Sequence, residues 1–568
     1  MTPAYDAVVI GCGAGGAAAA WRLCEHGLKV LVLEAGPRFD PARDYRLHRA
    51  DWEIGGFPHK PGSAGRATFA ELEALDAKHD DLRSWNRVAG RTNKGTRRLP
   101  SGPGYHHVRG VGGSTLHFTG EAHRLHPDAM RMRSARGVAV DWPIAYAELE
   151  PYYAIAERIL GVAGPEDTAP RWRSAPYPLP AHWLCKASLK LAQTSRAGMD
   201  WVANPRAALS QPYDGRRACN YCGNCGRGCP VGDKGSADVT FVRHAEKSGR
   251  CEIKSGAAAV VLETRGGGVR AVQYVMDGRG HRVDAPIVVL AAGAVETPRL
   301  LLANTSSRHP RGLANGSAEV GRNLMETLHW VSTALVPQSL ASHEGLPSDA
   351  ICWRYNAPDA VPGIAGGCRF TSGTQEAGLT GPIAYASRLV SGFGAQLKRG
   401  VREAFGRALT VGAVGEFLPN EHTRVTLDEA NRDERGMPFA KIHARLTPTD
   451  IARLRFMAER CRESLKDAGA AGIAEEYGSY DFFSAPHVSG TCRMGRDPRT
   501  SVVDAFGRAH ELANLYIADA SVFPTAGGGE GPSLTIEALA IRTADHIAKK
   551  SVLPPSTPPP RVAKPTVG

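Results

Sequence analysis

The chain has 568 residues, 42% hydrophobic and 22% charged, which suits a soluble globular protein with room for several domain-sized cores. Its formal charge of +12 is scattered, and no nucleic-acid recognition motif accompanies it, so nucleic acid is not expected as a partner. No stretch approaches the roughly eighteen apolar residues of a membrane span, so no transmembrane segment is expected. Met1 to Asp6 lacks a basic n-region and an apolar h-region, so a cytoplasmic location is expected. Export on a partner's signal would leave the same trace.

In chain order, Asp6–Gly11 reads as an apolar strand, Ala14–His26 as an Ala-rich helix with Gly27 at its C-cap, and Leu28–Glu34 as a second strand. Together they make a βαβ unit of the dinucleotide-binding kind. Residues 37–105 are polar, rich in Arg and Gly and poorly periodic, and read as loops and short helices. Ile287–Ala292 is a further buried strand, followed by a helix from about Thr297. Residues 330–440 mix short β-like runs with Gly/Pro punctuation, as a second, mostly antiparallel domain would. Thr447–Ala468 predicts a long amphipathic helix capped by Thr447 or Thr449. The tail from 551 to 568 is Pro-rich and reads as disordered.

The first motif with chemistry is Gly11-Cys12-Gly13-Ala14-Gly15-Gly16. Gly11 permits the tight turn, Gly13 lets backbone approach a pyrophosphate, and Gly16 lets the helix pack close to the strand. The helix N-terminus at Ala14 then faces the phosphates with free N–H groups and its positive dipole end. Glu34, at the end of the second strand, is placed to hydrogen-bond ribose hydroxyls and to repel a 2′-phosphate. The pattern alone does not separate FAD from NAD.

Several further segments stand in collinear order. They are Arg109-Gly110-Val111-Gly112-Gly113-Ser114-Thr115-Leu116-His117, then Val288–Gly293 with Thr297-Pro298-Arg299-Leu300-Leu301-Leu302. Next come Gly321-Arg322-Asn323-Leu324-Met325 and His487-Val488-Ser489-Gly490-Thr491-Cys492-Arg493-Met494-Gly495. The last are Leu515–Pro524 and Pro532-Ser533-Leu534-Thr535-Ile536. In this order, from about residue 5 to 550, the chain resembles the glucose-methanol-choline (GMC) family of FAD-dependent oxidoreductases.

The resemblance implies an α/β FAD-binding Rossmann-like domain assembled from discontinuous segments, with a second α+β substrate domain around a mostly antiparallel sheet. The expected division is 1–150, 219–330 and 486–550 for the FAD domain. Residues 151–218 connect, 331–485 bind substrate, and 551–568 form the tail. It implies hydride transfer from a CH–OH group of a sugar, polyol or other alcohol to flavin N5, with His487 as base. It places Gly112, Gly113, Ser114 and His117 against the flavin, where some members bond the histidine covalently and others do not. It places Asp519, Ala520, Pro532, Ser533 and Leu534 in the C-terminal flavin segment; Asp519 also reads as a turn or cap residue. The family's Asn or His partner of the base is absent, because Gly531 precedes Pro532. Glu530 is the neighbouring candidate to reach in, which would raise the histidine pKa; a solvated loop residue is the other reading.

Cys219, Cys222, Cys225 and Cys229, followed by Pro230, have iron–sulfur spacing. Thiols in a tight, metal-free loop are the bland alternative. The run resembles that of the family's sugar and gluconate-type dehydrogenase large subunits, which implies a [3Fe-4S] or [4Fe-4S] cluster. A three-iron form would leave Cys222 unused. It also implies a cytochrome c subunit and a small signal-bearing subunit as partners, on the periplasmic face. Two rival readings stand beside this dehydrogenase: an alcohol oxidase using O2 with a structural cysteine loop, and a flavin-binding protein without turnover.

Overall fold

The computed structural model describes residues 4–45, 63, 65–70, 87–88, 91–92, 104–166, 171–195, 198–479 and 484–550. The expected loops at 37–105 fall largely outside these residues, and the tail at 551–568 wholly outside.

The central sheet has five parallel strands: β1 (Ala7–Ile10), β2 (Val30–Glu34), β3 (Cys251–Ser255), β4 (Ile287–Leu290) and β5 (Leu515–Ile517). Their order is β3-β2-β1-β4-β5. Strands covered on both faces read as continuous apolar runs, and every residue of β1, β2 and β5 is buried. The helix α1 (Ala14–Glu25) joins β1 to β2. Its buried Ala17, Ala18, Ala19 and Ala20 allow close packing against neighbouring elements. The order of connection reverses between β1 and β4, which makes the carboxyl ends of these two strands the place for a ligand crevice.

The helix after β4, α2 (Gly293–Ala303), begins four residues before the expected Thr297. Two contacts explain this. Asp519 Oδ2 accepts the Gly293 N–H at 2.9 Å and so caps the first turn. Pro298, inside the helix, cannot donate to the Ala294 carbonyl, and that oxygen instead accepts from Thr491 Oγ1 at 2.7 Å. The final helix, α3 (Ser533–Lys550), packs on α1 and closes the layer.

A six-stranded antiparallel sheet lies over the crevice. Its strands, in spatial order, are Ile473–Gly478, Leu328–Leu335, Ala408–Gly415, Cys368–Ser372, Ala350–Cys352 and Trp201–Ala203. The helix Pro448–Asp467 packs against two of them. Thr447 caps that helix as expected: its Oγ1 accepts the Asp450 N–H at 3.3 Å, and Asp450 Oδ2 accepts the Thr447 N–H at 2.7 Å. Arg369 and Thr371, two residues apart on one strand, share a face and look into the crevice. A three-stranded antiparallel meander at 258–284 is an element the hydrophobic patterning left unread. Among the described residues no helix is long and apolar enough to cross a membrane.

Candidate active site

The crevice is one continuous cavity of about 1280 Å³, running from the glycine turn to the underside of the antiparallel sheet. At one end Gly11 has φ +97°, and a Cβ there would fall 2.4 Å from the Ala291 carbonyl oxygen. Only glycine satisfies both demands. A Cβ at Gly13 would meet nothing closer than Gly113 Cα at 3.8 Å, so it would project into the open cradle. At Gly16 it would fall 1.9 Å from the Gly11 carbonyl oxygen. Helix α1 has no side-chain cap and no acid in its first turn, and Ala14 and Gly15 line the cavity. Pro532 and Ser533, at the start of α3, line it as well. Free amides and aligned dipoles at such termini stabilise an anion.

Glu34 lines the same end, but it does more than await a ribose. Its Oε2 accepts the Cys12 N–H at 2.8 Å, and its Oε1 accepts those of Gly36 at 2.8 Å and Gly110 at 3.1 Å. The carboxylate therefore ties the glycine turn to the loop at 109–117. Burial lifts its pKa against these three amides. About one acceptor position remains for a ligand hydroxyl. Gly113 and Ser114 line the cavity, with Gly113 Cα against Gly13, whereas Gly112 supports them from behind in a left-handed conformation. Asp519 lines the cavity beside Ala520 and also caps locally, accepting from the Ser521 N–H at 2.8 Å and Thr297 Oγ1 at 2.6 Å. Leu534 is fully buried in the core behind Ser533. The open glycine, the two helix N-termini and the acid on the ribose side fit a flavin dinucleotide.

His487 lines the middle of the cavity. The Gly-Arg-Asn-Leu-Met element explains how it is held. Met325 and Ser489 exchange backbone hydrogen bonds of 2.9 and 3.0 Å, and the next two residues reach the histidine. Glu326 Oε1 accepts the His487 N–H at 2.9 Å, and Thr327 Oγ1 lies 2.9 Å from Nδ1. This leaves Nε2 for chemistry. Burial, then the Arg369 guanidinium, push His487 down to about 4, with Glu121 acting the other way. A raised pKa is expected only of a Glu530 that reaches the base; without that contact desolvation dominates.

Glu530 does not reach the base. Its Oε1 accepts from Arg171 Nη2 at 2.9 Å and from the His126 N–H at 3.0 Å, away from the cavity. Burial would lift this carboxyl, but Arg171 and its hydrogen bonds hold it below the usual range. Gly531 does line the cavity, and its N–H donates to His123 Nδ1 at 3.1 Å. The sequence reading missed Glu121 and Arg369, an ion pair with 2.5 Å between Oε2 and Nη2, and Gln375 and Glu376 beyond it. Nothing in residues 330–485 announced them. Glu121, a charge directly after the flavin-facing loop, was the one legible hint.

The cysteine run does not close on itself. Cys229 Sγ donates to Asp233 Oδ1, and Asp233 also hydrogen-bonds Cys219. Cys225 is buried beside Lys234, and Cys222 is exposed and lines the cavity. Among the described residues no three His, Cys, Asp or Glu side chains are grouped to hold a metal. The four residues do not fit an iron–sulfur cluster in this arrangement, because Asp233 competes for two of the thiols. Lys234 instead explains the loop's position: its Nζ donates to the carbonyls of Leu116, Phe118 and Cys225, each at 2.9 Å. His117 faces the same loop, with Nδ1 3.3 Å from the Gly226 carbonyl.

Residues 109–330 match the N-terminal model and 419–540 the C-terminal model of GMC oxidoreductases, and residues 9–67 match an NAD(P)-binding Rossmann-like domain. The chain is 30% identical to "2-methyl-1,2-propanediol dehydrogenase" of Mycolicibacterium austroafricanum, covering 96% of this chain and 95% of that one. It is 32% identical to "6'''-hydroxyparomomycin C oxidase" of Streptomyces lividus, covering 96% and 91%. To "Fructose dehydrogenase large subunit" of Gluconobacter japonicus it is 29% identical, covering 96% and 98%. In fold it is similar to pyridoxine 4-oxidase from "Mesorbium loti", with TM-score 0.60, 19% identity and coverage of 95% and 98%. With these matches over nearly its whole length, the chain belongs to the GMC oxidoreductase family.

Proposed function

We propose that this chain is an FAD-dependent oxidoreductase that oxidises the CH–OH group of a small polyhydroxylated alcohol, with His487 as base. The observation that carries the reading is the placing of His487: neutral, oriented through Nδ1, and in one cavity with the dinucleotide cradle. Bound in that cradle, FAD supplies a two-electron acceptor for hydride. Thr327 has a single hydroxyl proton. In the base-competent tautomer Oγ1 accepts from Nδ1–H at 2.9 Å, and Nε2 carries the lone pair. Nε2 takes the proton of the substrate O–H while the carbinol hydrogen leaves with its electron pair, and the C–O bond becomes C=O.

Relatives named for a diol, fructose and an aminoglycoside support the polyhydroxylated class. Both dehydrogenases and oxidases occur among them, and the cysteine relay lacks a converging ligand set, so the reading rests on flavin reduction alone. The test is product stoichiometry without oxygen: one carbonyl formed per flavin reduced supports it, and reduction without carbonyl sinks it. Peroxide on readmitting air selects the oxidase outlet; its absence selects a dehydrogenase.

A further inference from the structure

The family's hydrogen-bonding side chain is glycine at 531, and another part of the chain occupies the space. A Cβ added at Gly531 would lie 3.6 Å from Glu121 Cβ and 3.8 Å from its Oε2. The Glu121 carboxylate is fixed in place. Arg369 donates from Nη1 to Oε1 at 3.1 Å and from Nη2 to Oε2 at 2.5 Å, and Asn204 Nδ2 donates to Oε1 at 3.0 Å. Arg369 Nε also donates to the Gly529 carbonyl at 2.6 Å, so one guanidinium holds both the carboxylate and the loop that carries Gly531. A carboxylate has about four acceptor positions. The three donors leave one, on a group that lines the cavity together with His487.

We propose that Glu121 is the second substrate-contacting residue of this site, and that it selects alcohols with a hydroxyl or amine on the carbon next to the reacting one. The proposal rests on the alcohol-oxidising reading above. An Asn or His at 531 would be able to donate to the reacting oxygen, whereas an ionised carboxylate only accepts. Burial opposes ionisation of Glu121, but Arg369, His123 and Arg206 outweigh it and bring the group to about 2. It is thus a weaker base than His487, and the reacting proton goes to the imidazole. The free acceptor position of Glu121 then requires a different donor, one substituent away. An unmatched acceptor there costs binding energy, so a substrate without that donor is disfavoured.

The wall beyond Glu121 has the same character. Glu376 is exposed on the cavity, and no basic side chain forms an ion pair with it among the described residues; desolvation and the Glu121 charge raise its pKa. Gln375 commits Nε2 to the carbonyls of Ser342 at 3.2 Å and Glu344 at 2.6 Å, which leaves only its acceptor oxygen. Glu121 and Gln375 thus present two acceptors in succession, which suit a substrate with more than one donor.

The experiment uses the FAD-loaded full chain under anaerobic rapid mixing with butane-1,2-diol, 2-aminobutan-1-ol and butan-1-ol. Flavin reduction rate over apparent Kd is expected to favour the first two by at least about tenfold. Glu121→Gln is expected to reduce that preference below about threefold, mainly through Kd. Glu121→Asp, which keeps the charge but shortens the reach, is expected to fall between. Equal handling of the three alcohols by the native chain overturns the proposal, whatever the variants do. So does a preference that survives in Glu121→Gln. If no alcohol reduces the flavin, the functional reading fails, and binding decides the rest. Perturbation of the flavin spectrum by the diol but not by butan-1-ol supports Glu121; equal perturbation overturns it.

Discussion

Acid should destabilise this protein through His123, and the size of the effect follows from its contacts. The side chain is 1% exposed. Nδ1 accepts the Gly531 N–H at 3.1 Å, so Nε2 carries the proton and donates to Asn204 Oδ1 at 2.7 Å. Protonating Nδ1 would break the Gly531 contact and bury a charge beside Arg369. Burial is the main cause that lowers the group from 6.5 to about 4, with Glu121 acting against it and Arg369 with it. The unfolded chain binds this proton below pH 6.5 and the folded chain does not, so stability falls as pH falls through that window. Between about pH 7.5 and about pH 5, His123 alone accounts for about 2 kcal/mol. The assay is urea unfolding followed by tryptophan fluorescence at both pH values. His123→Gln keeps a donor and an acceptor but does not titrate, so it should shrink the pH dependence by about 2 kcal/mol. An unchanged pH dependence in the variant would refute the reasoning.

Thr327→Val removes the oxygen that orients Nδ1 and should slow flavin reduction by about ten- to a hundredfold with FAD still bound, which anaerobic rapid mixing checks. Glu34→Ala orphans three backbone amides at the cradle and should yield protein that loses FAD on gel filtration; retention of a full complement would count against the cradle. Gly13→Ala should give the same outcome through blocked approach rather than lost bonds. Because the four thiols do not converge, anaerobically purified protein should carry less than about one iron per flavin, and stoichiometric iron with acid-labile sulfide would contradict that placement.

Much of the cradle was legible in the sequence, because its constraints are local. Gly11 needs positive φ, the apolar run at Ala7–Ile10 needs cover on both faces, and Glu34 follows at a fixed spacing. The helix cap at Thr447 was legible for the same reason. What escaped depends on long-range contact. Glu121 meets Arg369 across 248 positions, and Glu326 and Thr327 meet His487 across about 160. No spacing rule spans such distances. Glu530 misled because proximity in sequence to Gly531 says nothing about direction: Arg171, which it meets across 359 positions, takes its carboxylate out of the cavity. For the cysteine run, spacing specifies reach but not competitors, and Asp233 is one.

The central claim is that His487 accepts the alcohol proton while hydride leaves the carbinol carbon. The most direct test is anaerobic bleaching of the bound flavin by a competent alcohol, comparing the native chain with His487→Ala at equal FAD content. The account predicts bleaching in the native chain and a rate about a hundredfold or more lower in the variant. Equal rates in the two proteins, or a native chain that no alcohol bleaches, would contradict it.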